Sequence, residues 1–343
     1  MASANSCSIS RGPDRDYGQP VLRMVIGLGL TRAVLWVLLV VLCSVASPVS
    51  MAQDAATDSL LDAPYSRKGA DSCLACHRDT VTLAVFRGAH GRPQDPASPF
   101  GVGQLQCEAC HGPGGDHAGR VRRGEQRPAL VVFGGEGAAP ATLQNDMCLS
   151  CHDDDQGVSW RANVHAGHDG ACADCHASHA PRDAVLTIET QAQVCQGCHT
   201  EQRNAGLKPF AHPLEEGKMN CGGCHSVHDA GGEALLVRTT LNQTCYQCHA
   251  DKRGPFLWEH APVAEDCTNC HDAHGSNHPG MLSQRGPFLC QGCHAEAGHP
   301  SLVNDAGGLA AAVPSQYLLG KNCMNCHSLV HGSNHPSGSR LMR

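Results

Sequence analysis

Ten copies of one short motif, C-x-x-C-H, carry the chemistry of this chain. They begin at Cys73, Cys107, Cys148, Cys172, Cys195, Cys221, Cys245, Cys267, Cys290 and Cys323, and use 20 of the 22 cysteines. The second cysteines are Cys76, Cys110, Cys151, Cys175, Cys198, Cys224, Cys248, Cys270, Cys293 and Cys326. The closing histidines are His77, His111, His152, His176, His199, His225, His249, His271, His294 and His327. C-x-x-C-H is the attachment signature of c-type haem. Each sulfur forms a thioether with a haem vinyl group, and the next histidine lies under the iron as its proximal ligand. The sequence predicts ten covalent c-type haems.

Zinc binding and disulfide formation are the competing uses of paired cysteines. Neither needs histidine directly after every second cysteine. With 23 histidines in 343 residues, ten such coincidences have a chance on the order of 10⁻¹². The two remaining cysteines, Cys7 and Cys43, lie in the N-terminal leader.

Ten further histidines recur in a fixed order. The stretch Cys245–His274 reads CYQCHADKRGPFLWEHAPVAEDCTNCHDAH, with His260 between its two boxes and His274 after the second. Such a unit reads as a two-haem cassette with its own supply of distal axial ligands. Five cassettes follow, at 73–117, 148–179, 195–228, 245–274 and 290–331. Their extra histidines are His90 and His117, His165 and His179, His212 and His228, His260 and His274, and His299 and His331. The odd-numbered boxes recur at 75, 47, 50 and 45 residues, an internal repeat. A histidine three residues after a proximal ligand cannot readily reach the far face of its own haem. His179, His228 and His274 are therefore expected to ligate a neighbouring iron. His168 rivals His165, and His278 and His335, in repeated GSNHP segments, are alternatives to His274 and His331.

The segments that must position these groups carry few long amphipathic patterns. Residues 112–140 are rich in glycine and read as loop. The 13 aromatics are too few for an ordinary core of this length. The predicted fold is a multihaem cytochrome c, mostly irregular with short α-helices and little or no β-sheet. Its core is the haem stack, drawn out into an elongated ten-haem array, so folding depends on cofactor insertion.

Residues 33–46 are an apolar run of 14 after Arg32, followed by the small-x-small site Ser50-Met51-Ala52. This is the layout of a secretory signal peptide over residues 1–52. Residues 53–343 then form the cytochrome domain. Export fits covalent haem attachment, which in bacteria occurs outside the cytoplasmic membrane. Losing the leader takes the net charge from −7 to −9. That surface disfavours nucleic acid as a partner.

Irons with two protein ligands exchange electrons but keep no open position for a substrate. The boxes include no C-x-x-C-K variant. The reading is electron transfer, not an enzyme. The segments CHGPGGDH, GPFLWEHAPVAEDCTNCHDAHGSNHPGML and GKNCMNCHSLVHGSNHPSG resemble periplasmic decahaem cytochromes of the MtrA/DmsE type. The resemblance runs from Cys73 to Ser339. It implies bis-histidine haems in a wire sheathed by an outer-membrane β-barrel porin. A periplasmic or inner-membrane electron donor stands at one end, and an extracellular cytochrome or reductase at the other. A soluble periplasmic shuttle, or a multihaem reductase with one open iron, are the alternatives.

Overall fold

In all ten boxes the amide of the closing histidine donates to the carbonyl of the first cysteine, at 2.8–3.0 Å. That i to i+4 bond is one α-helical turn. It brings the first cysteine, the second cysteine and the histidine to one face, since neighbours three and four apart share a face. The motif thus builds its own scaffold.

The computed structural model describes residues 60–294 and 323–342. The expected signal peptide and His299 lie outside them. The described residues belong to one unit, Leu60–Arg343.

Two kinds of box alternate. Each odd box ends a helix: Ala70–Leu74, Ala141–Leu149, Ile188–Cys195, Leu241–Cys245 and Gly286–Gln291. Even boxes hold only a turn of their own, as in Glu108–His111, Cys172–Cys175 and Cys267–Asn269. The longest described helix has nine residues, too short to be stable alone. Side-chain caps help start several of them. Asp79 accepts from Val81 and Thr82, Asn163 from His165, and Thr240 from Gln243. Among the described residues β structure is limited to isolated bridges such as His271↔Leu282 and Trp258↔Ser333.

The buried apolar side chains are few and mostly small: Ala70, Ala84, Val85, Val131, Leu143, Ala171, Ala192 and Leu341. At roughly 25 cal/mol per Å² of apolar surface, such a set supplies little of the drive to fold. Polar side chains take over part of that work. Asn145 spans its cassette, donating to Gly170 O at 2.9 Å and accepting from Cys172 N at 2.8 Å. Asn242 repeats this with Val263 O and Cys267 N. Gln191 and Gln106 accept from Gly222 N and Ala70 N in the other two complete cassettes. An amide side chain thus sets the separation of the two boxes each time.

Candidate haem-binding sites

An imidazole nitrogen lies about 2 Å from a first-row metal. Two rings on opposite faces of one iron then have centres roughly 6 Å apart. Nine closing histidines face a second histidine at that separation. His77 faces His117 at 6.3 Å, and His111 faces His179 at 6.1 Å. His152 faces His90 at 6.1 Å, and His176 faces His228 at 6.0 Å. His199 faces His165 at 6.1 Å, and His225 faces His274 at 6.1 Å. His249 faces His212 at 6.3 Å. His271 faces His331 at 6.1 Å, and His294 faces His260 at 6.0 Å. The tenth, His327, has its sequence-derived candidate partner, His299, outside the described residues. His168, His278 and His335 face no closing histidine in these pairs. His335 instead accepts from Ser337 N at 3.2 Å.

The pairs cross between cassettes, which departs from the reading of a cassette that supplies itself. In the stretch Cys245–His274, His260 faces forward to His294, and His274 faces back to His225. The rule holds at every junction. The histidine between two boxes serves the next odd box, and the one after an even box serves the preceding even box. Among the nine described pairs His117 alone stays in its own cassette, because no cassette precedes it to need a second ligand from it.

A local clasp explains the crossing. At the junction of the third and fourth cassettes, His212 Nδ1 bonds Ala273 O at 2.9 Å, directly beside His274. At the next junction His260 Nδ1 bonds Val330 O at 3.0 Å, directly beside His331. Between the second and third, Asn163 does this work. It is 2% exposed, donates to Val227 O at 2.9 Å beside His228, and accepts from His165 N at 2.8 Å. The two crossing rings at these junctions are therefore locked to each other.

Hydrogen bonds also settle which nitrogen is free. His111 Nδ1 bonds Val131 O at 2.8 Å, His225 Nδ1 bonds Ala234 O at 2.7 Å, and His271 Nδ1 bonds Gly280 O at 2.8 Å. His117 Nδ1 bonds Pro128 O at 2.8 Å. Each bond occupies Nδ1 and leaves Nε2 for a metal. Presenting these carbonyls bends the chain into the left-handed region at Ala234 and Gly280, with φ of 50° and 71°. For Ala234 that costs on the order of 1 kcal/mol. Burial holds His90, His111, His165, His228, His274 and His331 below the ordinary imidazole range. They are thus kept neutral, as a ligand must be.

The thiols follow the chain in the same order. Within each cassette the two first cysteines lie close enough to shift each other's thiols: Cys73 with Cys107, Cys148 with Cys172, Cys195 with Cys221, Cys245 with Cys267, and Cys290 with Cys323. Across junctions Cys110 feels Cys151, Cys175 feels Cys198, Cys224 feels Cys245 and Cys248, and Cys270 feels Cys293. Burial, then the neighbouring Cys73, pushes Cys107 up to about 12. In the Cys148–Cys172 pair the mutual influence of the two thiols pushes Cys148 up and draws Cys172 down to about 7. Thiols of consecutive boxes thus lie close enough along the chain to feel one another.

The residues fit c-type haem. All 20 described cysteines are free of disulfides. Among the described residues no group of three or more His, Cys, Asp or Glu closes on a metal ion, as a zinc site would need. Trp160 Nε1 is a buried donor without a partner. Its ring lies 6.3 Å from that of His165 and 6.0 Å from that of His228.

Comparison with known proteins agrees. The doubled CXXCH motif family matches residues 212–254 and 260–299. The cytochrome c-type protein NrfB-like family matches residues 107–194. The chain is 45% identical over 282 residues to the multiheme cytochrome MtrA of Shewanella baltica, covering 81% of this chain and 83% of that one. It is 24% identical to the high-molecular-weight cytochrome c of Nitratidesulfovibrio vulgaris, covering 62% of this chain and 35% of that one. It is also 23% identical to the C-type polyheme cytochrome OmcB of Geobacter sulfurreducens, covering 27% of that protein. Boxes, facing rings and a near full-length relative converge: the chain belongs to the MtrA family of multihaem c-type cytochromes and transfers electrons through c-type haems.

Proposed function

We propose that the chain is a periplasmic wire of ten bis-histidine haems, connected in sequence order. The observation that carries this is the facing of nine closing histidines by a second histidine, eight of the nine pairs joining successive cassettes, with thiols of consecutive boxes near enough to feel one another. The haems supply the one-electron couple. The closing histidines and their facing partners hold each iron from both sides. That leaves those irons no open position, which favours electron transfer over reduction of a bound substrate. His299 is assigned to His327, since the other nine of the ten ordered extra histidines each face a closing histidine. It lies between two boxes, and no further odd box follows for it to serve.

The signal peptide over residues 1–52 and the five cassettes complete this reading. No described helix is long and apolar enough to cross a membrane. The β-barrel porin implied by the family resemblance is proposed as a sleeve, with a periplasmic or inner-membrane donor and an extracellular cytochrome or reductase at the two ends. Two measurements test it. Mature protein should carry ten covalent haems by intact mass, every one low-spin by EPR. It should also co-elute with its barrel from outer-membrane extracts. Eight or fewer haems, or a native high-spin iron that binds cyanide, would refute the bis-histidine wire. Elution only as a free monomer would favour a soluble shuttle.

A further inference from the structure

Four even boxes treat their closing histidine alike. His111, His225, His271 and His327 each bond a backbone carbonyl through Nδ1, on Val131, Ala234, Gly280 and Arg340, at 2.7–2.8 Å. The fourth box differs. His176 Nδ1 bonds the Asp183 carboxylate, Oδ2, at 2.7 Å. The loop reaches this by another route. Asp183 keeps an ordinary extended backbone, with φ −74° and ψ 122°, and its side chain takes the place of the carbonyl. Its other oxygen accepts from Val185 N at 3.3 Å and Ala177 N at 3.4 Å, which fixes the carboxylate. The Asp183 side chain is only 17% exposed, so solvent screens it poorly. No lysine or arginine among the described residues pairs with it.

We propose that Asp183 is a positioning residue that sets the haem held by Cys172, Cys175, His176 and His228 to a lower potential than the other even-box haems. The inference rests on the ligand assignment above. A carboxylate on Nδ1–H draws the proton and makes Nε2 a stronger donor than a carbonyl does. A fixed negative charge near the iron also favours the ferric over the ferrous state, whose net charge is one lower. When a one-electron donor feeds the array, an electron added to this iron meets that charge. The fourth site is then a step up in energy relative to the other even-box sites.

The test compares fully loaded wild-type, Asp183→Asn and Asp183→Glu proteins by EPR-monitored potentiometric titration. Asparagine keeps the acceptor oxygen and loses the charge, whereas glutamate keeps the charge. In Asp183→Asn one electron equivalent of the ten should leave the low-potential end. Its ferric-to-ferrous equilibrium should move at least tenfold, about 59 mV for one electron. All irons should stay low-spin, and Asp183→Glu should titrate close to wild type. An unchanged titration in Asp183→Asn overturns the proposal. So does an equal shift in both variants, or a high-spin iron in both, because the residue would then only shape the loop. A high-spin iron at this site in the wild-type protein would instead refute the ligand assignment itself.

Discussion

Replacing His274 with alanine separates crossing ligation from ligation within a cassette. His274 follows the box at Cys267, yet its ring faces His225 of the box at Cys221, 6.1 Å away with an interplanar angle of 11°. The variant should open one iron of the ten, so about a tenth of the ferric haem becomes high-spin by EPR. That iron should be the one held by Cys221 and Cys224. In a Cys221→Ser/Cys224→Ser background, which lacks that haem, adding His274→Ala should create no new high-spin signal. The stability effect follows from the loop that the pair closes. An iron link between His225 and His274 spans about 50 residues, for which loop-closure entropy gives about 4 kcal/mol. The His212–His249 pair closes the same junction, so the loss seen in denaturant titration should fall below that figure. A high-spin signal that persists in the double-serine background would place His274 on another iron and refute the crossing. So would an intact spectrum in His274→Ala alongside a high-spin signal in His278→Ala.

Other consequences are as direct. Asn163→Ala removes bonds to Val227 O, Asp229 O and His165 N at a buried site; at about 1 kcal/mol each, denaturant titration should show a loss of about 2–4 kcal/mol, and a loss below about 0.5 kcal/mol would contradict the clasp. His168→Ala and His335→Ala should leave every iron low-spin by EPR, because neither ring faces a closing histidine. His299→Ala should produce one high-spin iron, and an unaltered spectrum would remove it as the partner of His327. Asn242→Ala, which frees Val263 O, Ala264 O and Cys267 N together, should lower the yield of fully loaded protein, read as haems per chain by mass spectrometry.

Much of this arrangement is legible in the residues. The boxes announce haem because sulfur–sulfur–imidazole spacing is local and needs no tertiary information. The extra histidines were legible as a set, since one follows each box in regular order. Their partners were not. Histidines at these spacings serve their own cassette or the next one equally well along the chain. The choice depends on which way a ring turns, and that is set by bonds such as His212 Nδ1 to Ala273 O, 61 residues apart. His274 over His278, and His165 over His168, were decided the same way. The bridging amides were missed, although Asn145 and Asn242 share a position three residues before an odd box. Asp183 looked like any loop aspartate, because its partner is defined only once the loop after the fourth box has folded back. Short helices were readable from the box itself, and the lack of an apolar core from 13 aromatics in 343 residues.

The conduit is tested most directly in liposomes that enclose a reducible dye, with a reductant outside. The complex of this cytochrome with the proposed barrel partner, inserted in the vesicle wall, should reduce the dye, while either component alone should not. The rate should fall sharply in His274→Ala, which breaks the array at its sixth site, and recover little when more reductant is added. A complex that leaves the dye oxidised, or that conducts equally well in His274→Ala, would contradict a wire running in sequence order through ten haems.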